Sequence, residues 1–460
     1  MENELHSSRW ENFAVSDASL SDACEAGSRI HACIADLYPF CRSLTGNENR
    51  KTLAYLQKVL PELLVKEVPS GTDVFDWTVP PEWNVTEAWL EDPSGNRIVD
   101  FAKYNLQLVS YSEPVDAKLS LDELQLHLHS LEDQPDVIPY RSTYYNRTWG
   151  FCLPHRERVE LPEGEYHAVI RSSLDESGSL TYGEWYKAGE TDEEFLLSCY
   201  ICHPSMANDS LSGVALLTEL GRWLQTQSTR YSYRIVFVPE TIGAIAWLAN
   251  QSMENLVKIR HGLVATCCGD KGPFTYKRSR QGEAEIDRIV EHLLATKSNH
   301  ETIVEDFFPI GSDERQYCSP GFNLPVGSLM RSRYHTFPQY HTSADNLDFV
   351  TAKALGESFA AYQQVIEIAE SNETYITKVP YCEPQLGRRG LYPTTGGVNA
   401  RTDTMQAMMW LLNLADGRHD LLAIAQRGGV DFSVLAAAAK SCRNNGLIEL
   451  ANGQFIERLS

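Results

Sequence analysis

The chain has 460 residues and a mass of 51.8 kDa, which at roughly 150 residues per domain corresponds to about three domains. Hydrophobic residues at 43% and charged residues at 22% exclude a largely disordered chain. A net charge of −22, from 62 acids against 40 bases, argues against a general nucleic-acid binder and against docking on an anionic membrane surface.

The first ten residues, Met1 to Trp10, hold no basic segment followed by an apolar run, so no signal peptide is expected. No stretch approaches about 20 uninterrupted apolar residues, so no membrane span is expected. A cytoplasmic location follows as the expectation. The eleven cysteines, from Cys24 to Cys442, are then expected as reduced thiols, most of them small buried hydrophobes. Cys199-Tyr-Ile-Cys202-His203 fits the c-type haem pattern, but it sits in an apolar run that reads as a buried strand.

In chain order, Ala23–Leu37 and Asn47–Leu60 carry apolar residues at helical spacing, and Arg42-Ser-Leu-Thr-Gly46 forms a polar turn between them. From Val74 to Lys187 the texture is tryptophan, tyrosine, proline and short alternating runs, which predicts a β-rich module. From Glu194 the pattern alternates. Phe195–Cys202, Tyr233–Val238, Leu263–Cys268 and Leu324–Leu329 read as strands. Ser210–Gln225, Ile242–Leu256, Ala284–Lys297 and Thr351–Ser371 read as helices. Such alternation predicts an α/β fold, a mostly parallel mixed sheet with helices on both faces. A Pro/Gly-rich connection, Tyr381 to Gly397, leads to three short helices and a hairpin turned at Asn452-Gly453, a winged-helix pattern. The expected domains are a split core of residues 1–73 and 188–379, an insert of 74–187, and a winged helix of 380–460.

Ligands in such sheets sit beyond the carboxyl ends of strands. That rim collects His203, Glu240, Cys268 to Asp270 and the loop after Met330. His203 closes a buried strand, and Asp209 enters the next helix. Glu240 follows the apolar run Val236-Phe-Val, where it either supports the helix start or serves as a general base. His341 precedes a long helix. Two imidazoles and a carboxylate make a zinc set with an open position for water. Asp313-Glu314-Arg315, in a Gly-bounded loop, reads either as a solvated turn or as a grip on a substrate amine or carboxylate.

Together these residues resemble the zinc-dependent M28-type aminopeptidases, and more closely the bacterial aminopeptidase-like DUF4910 branch, across nearly the whole chain. Arg42-Ser-Leu-Thr-Gly46 is similar to the family's start motif. The resemblance gives His203 the first zinc-histidine place, Asp209 that of the bridging aspartate, Glu240 that of the general base, and His341 that of the last zinc histidine. The zinc-exopeptidase-like fold, with its β insert and winged helix, comes with it.

Two positions depart from the family. Its second glutamate is Thr241 here, and a further ligand aspartate is Thr266, with Asp270 beyond it. One zinc per chain is therefore expected, held by His203, Asp209 and His341, with Cys267 or Cys268 as candidates for an extra ligand. Glu240 moves the proton during attack of water on an amide carbonyl. Tyr340, Tyr334 or Arg315 steadies the oxyanion or substrate, and Arg315 and Tyr340 are counted with Glu240 as catalytic. Asp313, Glu314, Tyr145 and Trp149 are the expected substrate contacts. The resulting expectation is a zinc aminopeptidase-like hydrolase of short peptides or small amides. Two alternatives stand beside it: an acyl or aminoacyl hydrolase of polysaccharide or natural-product biosynthesis, and a degenerate peptidase-fold scaffold. Residues 401–460 hold six bases and six acids, so the winged helix is expected to pack on the catalytic domain or a second subunit rather than bind nucleic acid.

Overall fold

The structure is a computed structural model, which describes residues 18–296, 301–391 and 403–456. The N-terminal segment read for a leader, Lys297 and residues 392–397 of the Pro/Gly connection lie outside the described residues. Among the described residues no helix is long and apolar enough to cross a membrane.

The chain separates into two compact units. One comprises Leu20–Ala284 and His300–Ala360, and the other takes in the helix Glu285–Thr296 and the chain from Ala361 onward. The first unit is built on an eight-stranded sheet. Its strands are β1 (Leu64–Pro69), β2 (Ser179–Lys187), β3 (Glu194–Tyr200), β4 (Ser232–Val238), β5 (Ile259–Val264), β6 (Phe274–Lys277), β7 (Thr302–Glu305) and β8 (Val326–Met330). The spatial order is β1-β2-β4-β3-β5-β8-β6-β7. The centre, β4-β3-β5-β8, is parallel. Antiparallel pairs flank it, β1 with β2, β2 with β4, and β8 with β6.

Every residue of β3 is buried, which is why the run reads as continuously apolar rather than alternating. From β3 the chain passes through the helix Ser212–Leu224 to β4, then through the helix Ile242–Ala249 back across β3 to β5. Right-handed crossovers in opposite directions put these helices on opposite faces. The order reverses at β3, so the carboxyl end of β3 is the switch point where such sheets open a crevice.

Several predicted boundaries shift. The helix expected over Ile242–Leu256 ends at Ala249, and Ser252 caps a second short helix, Met253–Leu256, by accepting from the Asn255 amide. The strand expected over Leu263–Cys268 leaves the sheet after Val264, because the next residues turn into the crevice with Cys267 at φ 51°. The helix from Asn47 ends at Leu56. Ser179–Lys187, read as the end of the insert, is β2 of the large sheet.

The insert's own sheet is four-stranded and antiparallel, in the order Arg97–Asp100, Glu82–Glu91, Glu165–Asp175, Val115–Ser120. Its apolar core is continuous with that of the large sheet. Trp83, Leu90 and Ile170 belong to the same cluster as Leu196, Val236 and Trp247.

In the second unit the helices Asp403–Leu414, Leu421–Gly428 and Phe432–Asn444 pack with a three-stranded sheet. Its middle strand is Thr374–Thr377, between Asp416–Asp420 and Ile448–Leu450. Asp420 and Asp431 cap the second and third helices by accepting backbone amides. Asn452 and Gly453 do form a turn with positive φ. Among the described residues, none after it forms a strand with Ile448–Leu450; instead the Ile456 amide bonds Asp416 O at 2.9 Å. Thr374–Thr377 takes the place a hairpin partner would hold.

Candidate metal centre

His203 lies three residues beyond the end of β3 and is 3% exposed. Its backbone carbonyl accepts from Arg42 Nη2 at 2.8 Å. Arg42 is itself buried, and burial lowers its guanidinium to about 10. The Arg42–Gly46 turn therefore anchors the strand end that carries His203. The imidazole has two distinct neighbours. Nδ1 lies 3.6 Å from Cys202 Sγ, and Nε2 lies 3.7 Å from Glu240 Oε2. Burial, with the His341 and Arg42 charges, outweighs the opposing Asp209 charge and depresses His203 to about 4. It is neutral at physiological pH, as a metal ligand must be.

Asp209 sits in a single irregular turn, Ala207–Leu211, before the helix Ser212–Leu224. Asp345 holds that turn, accepting the Asn208 amide at 2.6 Å and the Asp209 amide at 2.9 Å. Asn208 spreads across the crevice to Gly269 N and to Asp270. Gly213 is required behind it, since a Cβ there would stand 2.1 Å from Ala265 O. Asp209 is fully buried. Its Oδ1 accepts from the Tyr200 hydroxyl and from Thr266 Oγ1, the latter at 3.2 Å. Burial pushes its carboxyl up, but His203 and His341 more than offset this and hold it well below the usual carboxylate range.

His341 comes from the loop before the helix Ala352–Ser371, with φ at 54°. Its Nε2 is 2.9 Å from Asp209 Oδ2. Neither atom has a hydrogen-bonding partner, and both are buried. The two donors converge without bonding each other, at close to the ~3.3 Å that ligands about 2 Å from one tetrahedral zinc keep between them. One ligand atom each from His203, Asp209 and His341 lies within 4.8 Å of the others. Two imidazoles and a carboxylate that converge, with His341 Nε2 and Asp209 Oδ2 orphaned, fit a zinc ion. A second group, Cys202, His203 and Glu240, meets the same distance limit and shares His203.

Glu240 follows β4 after Pro239, and its side chain is 21% exposed. Its amide donates to Cys202 Sγ at 3.2 Å. Burial first, then the charges of Asp313 and Asp209, push its carboxyl well up, with Arg315 opposing. Thr241, at φ 64°, donates its amide to Asp313 Oδ1 at 2.7 Å and accepts from Arg315 Nη2 at 2.8 Å. The position that carries a second glutamate in the resembled family thus faces a supporting network here. Thr266 likewise faces Tyr200 and Asp209.

The remaining expected residues divide. Arg315 lies beside Glu240, and its Nε is buried without a partner. Tyr340 stacks on His341 with ring centroids 3.9 Å apart. Asp313 and Glu314, expected to face a substrate, are both fully buried. Asp313 supports Thr241, and burial lifts it to about 7. Glu314 pairs with Lys277 at 2.6 Å, and both side chains are fully buried. Tyr334 joins this pair through bonds to Lys277 and Glu314 at 3.0 and 3.2 Å, which turns its hydroxyl inward. Trp149 stacks on His127 at 3.8 Å within the insert, and Tyr145 packs on Trp77. Asp270 accepts from Asn208, Gly272 and Ser332. It is a brace for the loops rather than a free ligand.

Two residues noted in the sequence were not assigned to the metal centre there. Tyr140, from the insert, places its ring 5.2 Å from that of His203 and 5.1 Å from that of His341. Cys202 lies beside both His203 and Glu240. Their signals, an aromatic run of the insert for Tyr140 and a Cys-x-x-Cys-His spacing for Cys202, did not point to this site, because Tyr140 comes from a distant segment and Cys202 lies inside an apolar strand run.

The switch-point crevice and its converging donors define an aminopeptidase-like fold. A zinc aminopeptidase from Bacillus subtilis has the same fold at TM-score 0.56 and 11% identity, covering 75% of this chain and 95% of its own. An M28 peptidase precursor from Shewanella amazonensis aligns at TM-score 0.54 and 14% identity, covering 76% and 95%. The chain belongs to the DUF4910 family, described as a domain of unknown function, whose profile matches residues 31–372. A winged helix-turn-helix profile matches residues 373–450. A Clostridium acetobutylicum protein is 48% identical over 431 residues, 94% of this chain and 98% of its own. It is provisionally named a polysaccharide biosynthesis protein with an aminopeptidase-like domain. A crystal structure from the same organism, provisionally called a peptidase, aligns at TM-score 0.88 and 47% identity, covering 94% and 98%.

Proposed function

We propose that the protein is a zinc-dependent hydrolase of amide bonds, acting on short peptides or small aminoacyl amides with one zinc per chain. The observation that carries this reading is the convergence of His341 Nε2 and Asp209 Oδ2 at 2.9 Å, both buried and unpartnered. His203, Asp209 and His341 would hold the ion. A zinc bound there supplies Lewis acidity that acidifies water and polarises a carbonyl.

The chain's own residues do the rest. Glu240 takes a proton from the attacking water and returns it to the leaving nitrogen. Burial and the neighbouring carboxylates raise its pKa, which makes its carboxylate a stronger base toward that water. Asp345 and Arg42 hold the Asp209 turn and the His203 strand end. Arg315, whose charge acts on Glu240, is a cation available to a developing negative charge. The departure at Thr241 and Thr266 supports one ion rather than two, because each hydroxyl is engaged by neighbouring side chains.

The name of the Clostridium relative supports a second reading of the same chemistry, an acyl or aminoacyl hydrolase serving polysaccharide assembly. Assays of the purified protein on aminoacyl amides and on N-acylated amino sugars separate the two. Release of free amine from aminoacyl amides alone supports the first, and deacylation of the sugars alone supports the second. No turnover of either class by the zinc-loaded protein would contradict both and favour a non-catalytic binding scaffold.

A further inference from the structure

We propose that the β-rich insert is part of the metal centre: residues 138–140 fix His341 in place, and Tyr140 is the positioning residue through which the insert sets zinc affinity. This rests on the reading that His203, Asp209 and His341 hold the ion.

The His341 loop is joined to the insert by a short antiparallel pairing. The Tyr140 amide donates to His341 O at 2.8 Å. The Ser343 amide donates to Ile138 O at 2.8 Å, and the Ile138 amide donates to Ser343 Oγ at 2.9 Å. Pro139 and Thr342 form the bridge between these bonds. Asp345 ties the far end of the loop to the Asp209 turn, while the bonds next to His341 within the loop are local, such as Thr342 to Gln339.

His341 needs such support. Its φ of 54° lies where a non-glycine residue is strained and persists only when its surroundings over-determine it. Two tyrosine rings also bracket its imidazole. Tyr340 stacks on it at 3.9 Å, nearly parallel at 12°. Tyr140 meets it edge-on at 5.1 Å and 89°, and reaches His203 at 5.2 Å. Tyr140 is thus the residue of the insert that touches both histidines, and its own backbone clamps one of them. Groups that orient a metal ligand typically contribute about 10–100-fold in metal affinity.

The test is a zinc titration of the full chain against a chromophoric chelator, with melting temperature measured on the metal-free proteins. Tyr140→Ala should weaken zinc binding by about 10–100-fold while the metal-free melting temperature stays near that of the wild type. Tyr140→Phe should bind zinc as the wild type does, because the ring and the backbone clamp remain. Ser343→Ala, which removes one of the bonds, should weaken zinc measurably, and it decides the matter if Tyr140→Ala does not fold. Wild-type affinity in Tyr140→Ala, or in Ser343→Ala where that variant decides, overturns the proposal while leaving the zinc site intact. Absence of zinc binding by the wild type overturns the proposal together with the functional reading beneath it.

Discussion

Asp209 Oδ2 and His341 Nε2 stand 2.9 Å apart, buried, and without a hydrogen bond between them. A carboxylate and an imidazole free to choose would turn a few degrees and pair. They are instead held from behind, Asp209 by Asp345 through the backbone of its turn, and His341 by Tyr140 and Tyr340. Orientation by outside groups toward a common point is what the proposed zinc site requires of its ligands.

Glu240 should carry the proton and not the metal. Glu240→Gln is expected to lower kcat by about 10²–10⁴-fold with zinc content unchanged. Steady-state kinetics beside metal analysis checks this. A Glu240→Gln enzyme of full activity would show that the base lies elsewhere.

The buried pair of Lys277 and Glu314 should be a stability element and not a substrate contact. Glu314→Gln leaves a fully buried ammonium with weakened compensation, and breaking such a pair costs about 3–5 kcal/mol. Thermal melting should show a clear drop. The double change Lys277→Met with Glu314→Leu should recover most of it, because an apolar pair of similar volume needs no desolvated charge. An unchanged melting temperature in Glu314→Gln would contradict the burial described.

Glu367 gives a pH signature in the second unit. Burial raises its carboxyl to about 7 from its ordinary 4.5. The folded state then binds a proton more tightly than the unfolded state. Its stabilising contribution is present below about 4.5 and is lost as pH rises toward 7, by on the order of 2–3 kcal/mol. Glu367→Gln should therefore raise the melting temperature at pH 8 more than at pH 5. An equal effect at both values would contradict the shift.

Much of the architecture was readable because burial writes itself into composition. β3 is buried along its whole length and reads as an apolar run, and the helix Ser212–Leu224 shows its face. Of the large sheet, the strands missed were β1, β6 and β7, and in the second unit Thr374–Thr377 and Asp416–Asp420 were missed too. β1 buries only Val68, and β7 has no fully buried residue, so neither alternates cleanly. β6 ends in Lys277, which reads as exposed until Glu314, 37 residues on, neutralises it. The rim residues His203, Asp209, Glu240 and His341 were found because each follows or precedes a strong element. Tyr140 and Cys202 were not, since their roles depend on contacts across the fold. Glu314 was misread for the same reason, because a charge in a Gly-bounded loop gives no sign of a buried partner.

The most direct measurement is zinc content of the purified full chain, by elemental analysis, for the wild type and for His341→Ala. The account predicts one tightly held zinc per wild-type chain, lost or markedly weakened in His341→Ala. A wild-type chain that binds no zinc after metal loading, or one whose zinc is indifferent to His341, would contradict it.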